Sequence, residues 1–286
     1  SVRIITWYYS IRSFILWALT NLLESNRWCL PMRLAGASSI PVVPDGCLLI
    51  PLFPLGALMP SEQMPLRIFE PRYKQMLDDC ILGDGLFGIL PVNPDGGRIR
   101  GWAAPSSFGC ITEINGLHEI GSNLHLMAIG MTRFELLEVL EPALDAEDFG
   151  ESFPSVDELT ELYVDDVPDG KLYLRGVVRP ISPPVGSIDG ERWNRLLVEL
   201  SKHIVEVGTT FGGIELDPLD ILEQLSSTFG EPTPDSLFSV AASLVQDLDL
   251  QMIVLSSENL EDIADAIETS IRNGQARLRF IGRVID

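Results

Sequence analysis

Lysine is nearly missing from this chain. Only three of its 286 residues are Lys (Lys74, Lys171 and Lys202), and with 17 Arg they face 41 acidic residues, a formal charge of −21. Such a surface is a poor general partner for nucleic acid, whose phosphates are met by Lys and Arg. It is also repelled by anionic lipid. Cysteine and histidine are scarce too. Cys29, Cys47, Cys80 and Cys110 stand 18, 33 and 30 residues apart with no C-x-x-C, and His118, His125 and His203 are scattered, so no zinc-ligand spacing can be written. The thiols are expected to be buried or half-buried in a reducing compartment. There is no N-x-S/T sequon to argue for secretion, and a cytoplasmic location is expected.

Several catalytic signatures are absent. There is no G-x-x-x-x-G-K-[ST]: before Gly170-Lys171 the place of the first Gly is taken by Asp165, and Leu172 stands where Ser or Thr is needed. G-x-S-x-G and H-E-x-x-H are missing as well. Gly83-Asp84-Gly85-Leu86-Phe87-Gly88 satisfies G-x-G-x-x-G, but a helix is predicted before it and a strand after it. That is the reverse of a dinucleotide site, so it reads as a helix stop and a tight turn. A Ser–Lys nucleophile would need a buried lysine, and all three read as surface residues. His118 and His125 fall in strand-like stretches and read as satisfied β residues, and acid pairs are too numerous for any one to be singled out.

What is present is 46% hydrophobic sequence, enough for a sizeable core. Residues 1–33 stand apart. Arg3, Arg12, Arg27 and Arg33 against Glu24 give +3, which leaves −24 for the rest, and three of the five Trp lie here. Arg12 interrupts the apolar run from Ile4 to Leu23, which makes it a weak spanning helix. Three readings stay open: over-extended translation ahead of a start at Met32, a helix lying on a membrane or a partner, and a membrane anchor. Residues 34–46 read as a linker.

Cys47–Gly56 reads as a strand broken by Pro51 and Pro54, hence an edge, a kink or a corner. Pro65–Phe69 is a second extended piece. A helix is predicted from Pro71 to the stop at Gly83, and Leu86–Leu90 is a third strand. Further strands are predicted at Cys110–Ile114, Asn123–Ile129, Thr132–Leu140 and Leu172–Ile181. Between the last two, residues 142–169 hold ten acids and no base, a solvated insertion. From Asp189 the period becomes helical. Stripes begin at Trp193, Leu237 and Leu260, the last ending at Gly274, and Asp217-Pro218 and Thr233-Pro234 are cap-plus-proline starts.

One stretch is specific. Ile50-Pro51-Leu52-Phe53-Pro54-Leu55-Gly56, followed by Pro65-Leu66-Arg67-Ile68-Phe69-Glu70-Pro71-Arg72-Tyr73, resembles the opening of the N-terminal domain of the Lon protease family. Phe87–Leu90, Gly109–Ile114 and Gly130–Leu136 resemble its later strands, and the likeness extends over residues 47–272. Two departures stand out: Pro60-Ser61-Glu62-Gln63-Met64 where the family has a Pro-Gly turn, and Cys110 in place of a small Thr or Ser.

The resemblance implies an α+β protein: a PUA-like six-stranded β-barrel over residues 47–184 carrying the acidic insertion 142–169, a helical bundle over 185–275, and a tail over 276–286. It implies that the ATPase and peptidase domains of full-length Lon are missing here, so that the chain is not an enzyme and needs no cofactor or metal. The expected partners are unfolded or exposed polypeptide segments, with a protease or a chaperone beside them. Membrane contact is expected only through residues 1–31. An RNA-binding PUA-like module is an alternative if Arg98, Arg100, Arg175 and Arg179 converge, and so is an adaptor for one folded partner.

The candidate binding residues are Arg67, Glu70, Arg72, Tyr73 and Arg133. Glu70 at a helix start suits the positive end of the dipole, with Arg67 and Arg72 placed to pair with it and Arg133 to cap the same network. Binding is expected through strand addition at an edge that the prolines leave unpaired.

Overall fold

The computed structural model describes residues 33–36, 41–149, 170–213 and 215–285. The expectations for residues 1–31, for Cys29 and for most of the acidic insertion lie outside the described residues.

The strands are β1 (Arg33–Ala35), β2 (Leu48–Pro54), β3 (Gln63–Ile68), β4 (Leu86–Leu90), β5 (Arg98–Ile99), β6 (Trp102–Ala103), β7 (Phe108–Ile120), β8 (Asn123–Leu140) and β9 (Arg175–Pro180). The helices are α1 (Pro71–Leu82), α2 (Gly190–Gly212), α3 (Pro218–Phe229), α4 (Pro234–Leu244), α5 (Leu248–Ser256) and α6 (Leu260–Ile285). Seven strands form one mixed sheet in the order β1-β8-β7-β4-β2-β9, with β3 on β8; β9 also pairs back to β8, so the path β8-β7-β4-β2-β9 closes on itself. Strands β5 and β6 form a separate hairpin. No helix among the described residues is long and apolar enough to cross a membrane.

Three expectations about the sheet change. The proline-broken β2 is not an edge: residues 48–51 pair with β9 and residues 52–54 with β4, so the strand changes partner between its two prolines. The two stretches read as Asn123–Ile129 and Thr132–Leu140 are one strand, β8. Gly130, which looked like a break, lies where a Cβ would run into the Met59 carbonyl oxygen, so the glycine serves close packing. And Arg33–Ala35, at the boundary between leader and linker, is a parallel strand on the end of β8.

Packing fixes the two halves together. Helix α1 lays Tyr73, Met76, Leu77 and Cys80 against Phe53, Phe87 and Leu126 of the sheet. The helices bury their own cluster, but Ala57 and Met59 from the sheet side belong to it. The predicted caps form: Asp217 and Thr233 accept from backbone N–H groups, and Thr233 completes a capping box with Ser236; Asp189, where the helical period was expected to begin, caps α2 as well. Gly274 does not end its helix, which runs on to Ile285 through the stretch read as a tail. A Cβ there would lie 2.6 Å from the His203 ring, so the glycine lets α2 and α6 approach.

Candidate functional site

The segment that carries the resemblance builds β3, the turn before it and α1. In that turn Ser61 adopts φ 64°, the left-handed region that glycine fills without strain. This accounts for the Pro-Gly of the family pattern. Ser61 N donates to Gly130 O (2.8 Å) and Gly130 N donates to Glu62 O (2.9 Å).

Antiparallel alternation from that pair turns the N–H and C=O groups of Met64, Leu66 and Ile68 toward β8, and those of Gln63, Pro65 and Arg67 away from it. Among the described residues no strand pairs with this outer edge. Pro65 occupies an outward position, where its missing N–H costs no bond to β8. The open edge therefore offers the N–H groups of Gln63 and Arg67 and three carbonyls.

The face beside that edge is open as well. Leu66, Ile68, Leu126 and Ala128 point into the core, while the alternate positions of β3, β8 and β7 face outward. Arg67, His125 and His118 lie in register across the three strands. The two imidazoles stack with centroids 5.7 Å apart. His118 Nδ1 donates to Gly116 O at 2.8 Å. At one end of this face Phe69 is 48% exposed and Ile120 56%.

The other motif residues do a different job. Glu70 precedes α1, but its carboxylate caps no N–H; it accepts from Arg72 Nε at 2.7 Å. The Arg72 guanidinium lies 4.2 Å from the Tyr73 centroid and 3.6 Å from that of Trp102 in β6. Tyr73 is 5% exposed and meets Phe53 edge-on at 4.2 Å. Burial pushes its phenol up to about 12, with Arg72 pulling down and Glu70 pushing up. Glu70, Arg72 and Tyr73 thus come together, with Trp102, as a clamp between α1 and the β5–β6 hairpin. Arg67 is outside it and makes no ion pair with Glu70 among the described residues.

Arg133 is outside it too, and the expectation that it caps this network is corrected. The side chain is 2% exposed. Its Nη1 donates to Val254 O (3.3 Å), Leu255 O (3.3 Å) and Ser257 O (2.5 Å), and its Nη2 to Ser182 O (2.8 Å). It lies 5.2 Å from the Phe238 ring centroid. Burial lowers its pKa to about 10, which leaves it charged at neutral pH. Arg133 therefore satisfies the carbonyl end of α5, where a cation meets the negative pole of the helix. Its acceptors on α5 lie 121 to 124 positions along the chain, which is why no local pattern announced the role.

Beside Arg133 the sheet and the helices leave a cleft of about 530 Å³ lined by Phe108, Glu135, Arg179, Pro183, Val185 and Glu258. A second of about 560 Å³ adjoins it, between α5 and α6, where Asp262 and Asp265 line one wall. Three arginines of the RNA alternative, Arg98, Arg100 and Arg179, meet protein acceptors, and Arg175 is not free either. Arg179 pairs with Glu135, Arg98 donates to Gly101 O at 2.6 Å, and Arg100 pairs with Asp145 at 2.6 Å, a bond that holds the Asp145 carboxyl below its ordinary range.

Two groups escaped the sequence reading: Trp102, and the row of Arg67, His125 and His118. Strand register brings the row together, and the only trace of it in the sequence was that both histidines sat in strand-like stretches.

Among the described residues, a mixed sheet of seven strands with six helices, one on the sheet and five after it, defines an α+β protein. Residues 49–270 match the family described as the ATP-dependent protease La (LON) substrate-binding domain, and the chain belongs to that family. Among solved structures, a Lon N-terminal domain protein from Xanthomonas campestris aligns with a TM-score of 0.47 at 17% identity, covering 78% of this chain and 98% of that one. The N-terminal domain of Mycobacterium avium complex Lon protease aligns with a TM-score of 0.47 at 13% identity, covering 79% and 98%. No curated protein sequence matches the chain.

Proposed function

We propose that the chain is a polypeptide-recognition module that holds unfolded or exposed segments without cutting them, built on a PUA-like barrel. The closed path of strand pairings supports the barrel reading. The observation that carries the binding reading is the outer edge of β3, where backbone donors and acceptors lie beside an outward face with exposed apolar side chains. An extended peptide laid along it would gain main-chain hydrogen bonds and place alternate side chains on that face.

Several features favour holding over chemistry. Burial raises both Cys80 and Cys110 to about 12, away from the thiolate form a nucleophile needs. Lys171 is tied to Asp79 at 3.0 Å and Lys202 to Glu199 at 2.7 Å. Fluorescence anisotropy with labelled unfolded peptides tests the reading. Saturable binding below ~100 μM is expected, in the range of weak but specific contacts. Its absence, or hydrolysis of the peptides by the purified chain, overturns it.

A further inference from the structure

The proposed edge has a chemical preference written into the strands beside it. We infer that the β3–β8–β7 face selects extended segments that carry a carboxylate side chain. This rests on the polypeptide-recognition reading and names the class of segment.

Arg67, His125 and His118 occupy one cross-strand row, each opposite the next in register. Directly opposed side chains on one face of an antiparallel pair are close enough to act on a common group. On a chain with a formal charge of −21, such a row is out of keeping with the surface around it. The charged neighbours from each strand are few. On β7, Glu113 lies on the same face but opposite Ile129, and Glu119, opposite Leu124, lies on the other face; on β3, Arg67 is the charged residue in the row. Helix α5 packs on β7 and β8, and it meets β8 at Arg133, opposite Cys110, away from the row; β3 packs chiefly on β8, and α1 on β2.

The end of the row nearest the edge is a permanent cation, because a guanidinium keeps its proton. The imidazoles of His125 and His118 follow it across the strands, and His118 gives its Nδ1–H to Gly116 O. A peptide strand added outside β3 would put its alternate side chains on this same face, next to Arg67. A carboxylate there meets a fixed positive charge. An amide of the same shape meets none of that attraction.

Two labelled peptides of about ten residues, a usual strand length, supply the test. They share one apolar, extended sequence and differ only in a central Asp or Asn. Anisotropy on the full chain compares them. The Asp peptide is expected to bind about fivefold tighter than the Asn peptide, the scale of one or two exposed charge pairs, and to lose that margin as salt is raised. Arg67→Gln removes the margin and retains Asn-peptide binding. Equal binding of the two peptides, or a margin that survives Arg67→Gln, overturns the inference and leaves the recognition reading intact. If neither peptide binds, the recognition reading fails and takes this inference with it.

Discussion

Two arginines from the sheet show how differently the molecule treats its two ends. Arg133 is sealed between the sheet and the helices, its donors spent on four carbonyls. Arg67 stands exposed next to a strand edge with which no strand pairs among the described residues. The closed junction is where polar groups are satisfied and the halves are locked. The open face is where bonding capacity is left over. On the proposed reading the open face keeps that capacity for other chains, and stability is concentrated elsewhere.

The largest effect should come from the junction. Arg133→Met keeps much of the volume but strands three buried carbonyls and the part-buried one of Ser182, and removes the cation at the end of α5. A loss of about 3–4 kcal/mol in chemical denaturation is expected, since unsatisfied buried groups and broken buried cation contacts cost on that scale. A loss below about 1 kcal/mol would mean that water satisfies those carbonyls and that the junction is not closed.

A second break lies within the helices. The His203 ring packs against Gly274, its Nδ1 has no hydrogen-bond partner, and burial lowers its pKa below the ordinary value of 6.5. The unfolded chain therefore takes up this proton at a higher pH than the folded one. The contribution is fully present above the unfolded-state value and is lost as pH falls through and below 6.5. Thermal melts should show a steeper loss between pH 7.5 and about 5.5 for the native chain than for His203→Leu. Equal slopes would remove His203 from the account.

The smallest effect belongs to the open side. Ser61→Gly relieves a left-handed serine in the turn before β3 and is expected to raise stability by about 0.5–1 kcal/mol, with peptide affinity unchanged. A drop in stability would show that the serine side chain contributes to the turn. The comparison sharpens if changes at the open face move binding while changes at the junction move stability.

Much of this was legible locally. The caps at Asp217 and Thr233 were read correctly because a helix start is a matter of a few neighbouring residues. Helix α5 was missed: it is apolar almost all round, buries Met252, Val254 and Leu255, and leaves no stripe to read, although Asp247 caps it. Gly130 and Gly274 were read as breaks because their reasons, the Met59 carbonyl and the His203 ring, come from distant sequence. The candidate site divided in the same way. Glu70, Arg72 and Tyr73 are adjacent in sequence and do cluster, whereas Arg67 and Arg133 were assigned partners they do not have. The alternation of β3 was readable, but which edge stayed open depended on the whole order of strands.

The carbonyls that hold Arg133 come from both Ser182 and the end of α5, so neither half carries a self-sufficient copy of that contact. A gene fragment ending near Pro184 would encode a sheet with an ionised guanidinium facing solvent where a helix should be, and with Ala57 and Met59 stripped of their cover. Moving the proposed recognition surface onto another protein requires transplanting the five following helices with it.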